Sequence, residues 1–221
     1  VSALEAEYRG TIYFDKWILG NWVKAEGLVF PLFKREKHYM TPDEYAERFG
    51  KHFIEYIIFG VDGANTNDST VIQPLAIMDT GQAVAIEMFY HNPKVNGQLS
   101  NEQLVPFILK YFDDLKQKYR LDYGRIRLYT AVDCAAADLC LTLQYHLPDY
   151  FNVNKFTKKD ILFTTDVVNN AFSRMAVCIL DFGGYYNYVR GGFTEGVSQL
   201  VTDLELMTWD KSNEKYDPEV P

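Results

Sequence analysis

The segment FIEYIIFGVD, residues 53–62, decides the fold. Its apolar run from Phe53 to Val61 is rich in β-branched and aromatic residues and has the length of a strand, and it ends at Asp62. The next stretch, residues 63–69 (GANTNDS), is small and polar, which predicts a loop. A carboxylate is therefore expected where a strand gives way to a loop.

Two more strands are predicted after this loop, at Thr70–Met78 and Ala83–Tyr90, because both stretches are again apolar and β-branched. Between them, Asp79-Thr80-Gly81 is a tight hairpin signal. The first three strands are therefore expected to be antiparallel neighbours.

From Ser100 onward, the apolar residues recur with a helical period, and Ser100 with Gln103 is typical of a helix start. The elements predicted after this helix are a strand at Arg125–Val132 that delivers Asp133, a helix at Ala135–Leu147, a strand at Phe151–Phe156, a helix at Lys159–Met175, a hairpin at Gly183–Gly192 and a helix at Glu195–Trp209. This order predicts an α/β fold, a ribonuclease H-like mixed five-stranded sheet flanked by helices with an extra β-hairpin. No internal repeat is visible.

Residues 1–52 differ in composition from the rest of the chain. They are rich in aromatic residues around Trp17 and Trp22 and have no long periodic stretch, so we expect a tail that packs on another part of the protein or on a partner. No apolar run approaches the about 20 residues needed to span a bilayer, so no membrane role is expected.

The odd number of cysteines, Cys134, Cys140 and Cys178, and their apolar neighbours predict reduced thiols in the core.

The net charge is -8, from 30 acidic against 22 basic residues. This argues against a protein that coats nucleic acid, because phosphate contacts normally need a basic face. It leaves room for a nuclease whose site is a cluster of carboxylates, because divalent cations reverse the charge of such a site.

Asp62 and Asp133 are the candidate catalytic and metal-binding residues. In the predicted topology they end neighbouring parallel strands, and ligand sites of open α/β sheets form at that edge. Two close carboxylates repel unless a cation lies between them, and two cations about 4 Å apart can promote phosphoryl transfer. The alternative is that each is a turn residue or a helix cap, and Asp133 is well placed to cap the helix after it.

Asp68 is a possible secondary residue of this site, although it is equally suited to ordering the loop. Possible phosphate contacts are Lys155, Lys158, Lys159, Arg174 and Arg190. The remaining carboxylates considered, Asp79, Glu87, Asp203 and Asp210, are expected to be solvated. No GxxxxGK[ST] pattern occurs, so ATP hydrolysis by a P-loop is not expected.

Four stretches carry a resemblance to a known family. Residues 13–30 contain an L-G-x-W and then an E-G-x-V-F pattern, and the others are Gly60–Gly63 with Asp68–Thr70, Tyr129–Asp133 and Leu204–Lys211. Together they resemble the large terminase subunits of tailed bacteriophages, with their ribonuclease H-like nuclease domain. The resemblance implies that Asp62 and Asp133 bind metal, that residues 1–52 follow an ATPase domain, and that residues 53–221 stop before the family's last acidic motif.

The same resemblance implies a function: cutting concatemeric double-stranded viral DNA when packaging starts and ends, with two Mg²⁺ or Mn²⁺ ions. The implied partners are the portal protein, the small terminase subunit and the ATPase domain of the full-length protein, in the host cytoplasm at the procapsid portal. Two alternatives stay open: another ribonuclease H-like nuclease of the resolvase or transposase type, and a non-catalytic domain that docks DNA or the portal.

Overall fold

The computed structural model describes residues 27–63, 68–157, 160–181, 185–187, 192–193 and 198–209. The α-helices in these ranges are α1 (Arg35–His38), α2 (Pro42–Phe49), α3 (Pro93–Asn96), α4 (Asn101–Lys118), α5 (Ala137–His146), α6 (Ile161–Ser173) and α7 (Gln199–Leu206). The strands are β1 (Tyr39–Met40), β2 (Ile54–Asp62), β3 (Thr70–Met78), β4 (Ala83–Ala85), β5 (Met88–His91), β6 (Arg127–Asp133), β7 (Val153–Phe156), β8 (Val177–Leu180), β9 (Tyr185–Asn187) and β10 (Gly192–Phe193).

The chain divides into two compact units. The sheet unit comprises Thr41–Lys158 and Leu180–Ser198, and the helical unit comprises Val1–Met40, Lys159–Ile179 and Gln199–Pro221. The candidate residues Asp62, Asp68, Asp133 and Lys155 all belong to the sheet unit.

In the sheet unit, five strands follow one another in the order β4-β3-β2-β6-β7. Strand β2 is antiparallel to β3 and parallel to β6, and β6 is parallel to β7. Strand β5 pairs with the start of β3, and β9 extends the sheet beside β5. This mixed sheet, with helices packed against it, confirms the predicted ribonuclease H-like arrangement.

The prediction of one continuous strand over Ala83–Tyr90 is wrong, because Ile86 and Glu87 interrupt it between β4 and β5. The prediction that Glu87 is solvated is also wrong, since only 4% of this residue is exposed. Its carboxylate accepts hydrogen bonds from Lys118 Nζ and Tyr119 Oη at the end of α4. A buried charge needs such partners, and they come from a helix about thirty residues further along the chain.

One face of the central strands is covered by helix α4, and we call it the helix-covered face. It carries Ile57, Phe59 and Val61 of β2, all buried, and Phe59 contacts Phe112 of α4 with ring centroids 4.8 Å apart. Ile58, Gly60 and Asp62 alternate with them on the other side of β2, which we call the open face, and Gly60 and Asp62 are exposed. Helix α4 begins with the predicted capping box of Ser100 and Gln103.

In the helical unit, α6 begins at its N-cap Asp160, whose side chain accepts from Phe163 N at 3.0 Å. The buried His38 lies against Phe172 of α6, with Nε2 2.9 Å from the Phe172 carbonyl oxygen. The predicted helices at Lys159–Met175 and Glu195–Trp209 are confirmed within shorter bounds, as α6 and α7.

Sequence reasoning missed helix α2, although its signal is present. Thr41 and Glu44 form a capping box, and Pro42 occupies the first helical position. Of the three cysteines, Cys140 and Cys178 are buried as predicted, but Cys134 is exposed, because it follows the end of β6 directly.

Several predictions fall outside the described residues: those on Trp17, Trp22, Lys158, Lys159, Arg190 and Asp210, and most of the hairpin at residues 183–192. Strands β9 and β10 do pair in antiparallel fashion. Among the helices that the structure describes, none has the length and apolar character to cross a membrane.

Candidate active site

Strands β2 and β6 bring Asp62 and Asp133 to one edge of the sheet. The two strands are parallel and in register from Tyr56 and Arg127 to Val61 and Val132. Asp62 follows Val61 and Asp133 follows Val132, and each aspartate is the last residue of its strand. Because neighbouring strands lie about 4.8 Å apart and registered residues share a face, both carboxylates belong to one row on the open face.

The two aspartates differ in their surroundings. Asp133 is 7% exposed, and its Oδ1 accepts a hydrogen bond from Ala135 N at 3.1 Å. It thereby caps the short 3₁₀ helix at Cys134–Ala136 that leads into α5. Asp62 is exposed. The capping role considered for Asp133 is therefore real, and its Oδ1 carries it.

Gly63 directly follows the last residue of β2 and lies against the helical turns that come after β6. A Cβ atom at this position would lie 2.6 Å from Leu139 Cδ2 and 2.9 Å from Ala136 Cβ. The residue after Asp62 is thus in close contact with the helical turns that follow Asp133, and only glycine fits there without a shift. The sequence analysis placed Gly63 in a loop and in a stretch that resembles a terminase motif, but it did not predict this contact.

Asp68 lies at the start of β3, beside the strand that carries Asp62. It is exposed, and it precedes Val71, which is the registered partner of Asp62. The neighbouring Ser69 donates a hydrogen bond from Oγ to Tyr90 Oη at 3.0 Å, which ties the start of β3 to β5.

Lys155 is exposed on β7, but it is the registered partner of Val132 and therefore lies on the other face of the strands from Asp133. There it lies near Cys140 of α5. Burial raises the pKa of the Cys140 thiol, and the positive charge of Lys155 opposes that rise. Arg174 is exposed and belongs to the helical unit.

The residues at this edge suit a hard divalent cation, because carboxylate oxygens are the ligands that Mg²⁺ and Mn²⁺ favour. Two adjacent carboxylates on neighbouring strands also repel each other, and a cation relieves that repulsion. In the part of the chain that the structure describes, no group of three or more His, Cys, Asp or Glu side chains is placed to hold a metal. Asp62 and Asp133 are the candidate donors.

The sheet, with β3 antiparallel to β2 and with β2, β6 and β7 parallel, has a ribonuclease H-like fold, and the ends of β2 and β6 form its candidate metal site. No family model matches the chain, and no curated protein matches it. Among solved structures, the large terminase from a thermophilic bacteriophage is similar, with a TM-score of 0.66 and 16% identity over 98% of this chain and 46% of that one. The chain thus spans about half the length of that terminase.

Two solved nuclease domains are similar to a lesser degree. The large terminase nuclease from thermophilic phage G20c, solved with bound magnesium, has a TM-score of 0.48 and 14% identity over 87% of each chain. The large terminase nuclease domain from bacteriophage SPP1, solved with bound Mn, has a TM-score of 0.45 and 11% identity over 81% of this chain and 84% of that one. The likeness of this chain to the large terminase with the TM-score of 0.66 confirms the predicted resemblance at the level of the fold.

Proposed function

We propose that the chain is a metal-dependent endonuclease of the terminase type that cuts double-stranded DNA. The observation that carries the proposal is the in-register placement of Asp62 and Asp133 on the open face of a ribonuclease H-like sheet. Such a pair is suited to phosphodiester hydrolysis, because cations held between two carboxylates can neutralise a phosphate.

In this proposal Asp62 and Asp133 hold two Mg²⁺ or Mn²⁺ ions. When bound, the ions would supply an activated water and stabilise the leaving oxygen. Asp133 is the fixed ligand, because the Ala135 N–H orients its carboxylate. Asp62 is exposed, so a cation held by its carboxylate would be open to an incoming phosphate. The open face leaves the strands beside the pair accessible to a DNA backbone.

The packaging role belongs to the same proposal. We assign the chain to a terminase that cuts concatemeric viral DNA when packaging begins and ends, with residues 1–52 following an ATPase domain. The portal protein and the small terminase subunit are the proposed partners, at the procapsid portal in the host cytoplasm. The likeness of fold to the phage terminase supports these assignments. Lys158, Lys159 and Arg190 are proposed DNA contacts, and Asp68 is a proposed support of the site. Lys155 lies on the face away from Asp133 and is not among these contacts.

The test is cleavage of plasmid and linear duplex DNA with Mn²⁺ by the wild-type chain, Asp62→Asn and Asp133→Asn. We expect both variants to lose at least about 100-fold in rate, as expected when the charge that holds a catalytic cation is removed. The matched control is Asp149→Asn. Asp149 is exposed and precedes the start of β7, at the opposite edge of the sheet.

Equal cleavage by the wild-type chain and by both site variants would reject the assignment of Asp62 and Asp133. A four-way junction serves as a further substrate: if the junction is cut and the linear duplex is not, the enzyme is of the resolvase type. If the wild-type chain binds DNA without cutting any substrate, it is a docking domain.

A further inference from the structure

Phe156 lies beside the aspartate pair, and the proposed function gives its aromatic ring no role. It is the last residue of β7 and the registered partner of Asp133 across the parallel β6–β7 pair. Registered partners share a face, and the strands are about 4.8 Å apart, so Asp62, Asp133 and Phe156 form one row on the open face. Half of Phe156, 50%, is exposed.

The neighbouring row of the open face carries no large side chain. One step back along the strands, the open face carries Gly60, Ala131 and Asn154, which are registered with one another. Gly60 is exposed, and an added Cβ would touch only the Gln73 carbonyl oxygen, at 3.7 Å, so no side chain covers this position closely. A flat group could therefore lie against the Phe156 ring without meeting a large side chain in the neighbouring row.

We propose that Phe156 stacks on a nucleobase next to the phosphate that Asp62 and Asp133 engage, so that the chain favours DNA in which this base is unpaired. The inference rests on the proposed function, because it places a phosphate at the pair. A base inside a continuous duplex already stacks on its neighbours, whereas an unpaired base offers a free face to an aromatic ring. The preferred substrate class is DNA with a single-stranded or locally melted step at the cut.

The experiment compares a fully paired duplex with the same duplex carrying a short mismatched bubble. Cleavage with Mn²⁺ is measured for the wild-type chain, Phe156→Ala, Phe156→Leu and Phe156→Trp. We expect the wild-type chain to cut the bubble about 10-fold faster, the gain that one base–aromatic stack supplies. Phe156→Ala and Phe156→Leu should lose this advantage, and Phe156→Trp should keep it.

The matched control is Phe53→Ala. Phe53 is 66% exposed and precedes β2, so it lies at the edge of the sheet opposite the aspartates. This variant should cut both substrates as the wild-type chain does. Thermal unfolding of every variant identifies loss of folding, and Phe156→Leu, which keeps an apolar side chain, tests stacking if Phe156→Ala unfolds.

A second measurement does not depend on cleavage. A 2-aminopurine base in the bubble, next to the expected cut, should lose fluorescence when the wild-type chain binds in Ca²⁺, and should not lose it with Phe156→Ala. Unchanged fluorescence with the wild-type chain bound, or the same bubble advantage in Phe156→Leu, would overturn the inference. If the wild-type chain cuts no DNA, the proposed nuclease function is rejected. The fluorescence measurement still shows whether Phe156 stacks on a base.

Discussion

Gly63 packs directly against Leu139: an added Cβ on the glycine would lie 2.6 Å from Leu139 Cδ2, so one of the two residues would have to shift. The same atom would lie 2.9 Å from Ala136 Cβ, which the 3₁₀ helix holds in place. This contact joins the residue after Asp62 to the helical segment that Asp133 caps. We therefore expect the spacing of the two carboxylates to depend on this glycine, which carries no chemistry itself.

We expect Gly63→Ala to destabilise the fold by about 1–3 kcal/mol, the usual cost of overpacking, and to weaken Mn²⁺ binding. Calorimetric titration and chemical denaturation measure the two effects. The control is Gly60→Ala, because a Cβ there would meet its nearest atom at 3.7 Å. If Gly63→Ala binds Mn²⁺ as tightly as the wild-type chain, the carboxylate spacing is independent of this contact.

The two roles of Asp133 can be separated. Asp133→Ala and Asp133→Asn both remove the charge, but only asparagine keeps an oxygen that can accept from Ala135 N. We expect Asp133→Ala to be less stable than Asp133→Asn by about 1 kcal/mol, the worth of a helix cap, with Mn²⁺ binding lost in both. Urea denaturation measures the difference. Equal stability of the two variants would show that the cap contributes nothing.

The buried carboxylate of Glu87 depends on Lys118, whose side chain is 28% exposed. Removing one partner of a buried ion pair leaves the other charge uncompensated. We expect Lys118→Met to lower the free energy of unfolding by about 3 kcal/mol, the low end for such losses because Lys118 is partly exposed. Lys94→Met is the control, since Lys94 is exposed on α3. A loss no larger than that of the control would contradict the assigned role.

In the helical unit, burial raises the pKa of Asp203 despite a hydrogen bond from Gln199. A raised pKa means that the folded state holds the proton more tightly than the unfolded state, so the ionised form costs stability at neutral pH. We expect Asp203→Asn to raise Tm at pH 7, and the gain to disappear as the pH falls toward the ordinary carboxyl pKa of about 4. Thermal melts of both proteins between pH 7 and about pH 4 measure this change in the Tm gain. An equal gain in Tm at the two pH values would contradict the prediction.

The strand that ends at Asp62 was predictable, because its β-branched run ends in a loop of small polar residues. Thr70–Met78 agrees with β3 at both ends, and the end of β2 differs from the prediction by one residue. Local composition was sufficient here. The parallel pairing of β2 with β6 was predicted because the order of elements matches the ribonuclease H arrangement, in which these two strands are parallel neighbours.

Other features depend on contacts between distant parts of the chain. The burial of Glu87 requires Lys118 and Tyr119, and nothing near Glu87 in the sequence indicates them. The close approach of Gly63 to Ala136 and the position of Phe156 beside Asp133 likewise appear only once the sheet is assembled. Helix α2 is different, because Thr41, Pro42 and Glu44 are a local signal that sequence reasoning overlooked.

The register of β2 and β6 also limits how this protein can change over generations. Adding or deleting one residue inside either strand would turn its terminal aspartate toward the face that α4 covers, because side chains alternate at every position. A displaced charge would then enter an apolar interior. Substitutions can accumulate along both strands, but changes in length are confined to the loops that connect them.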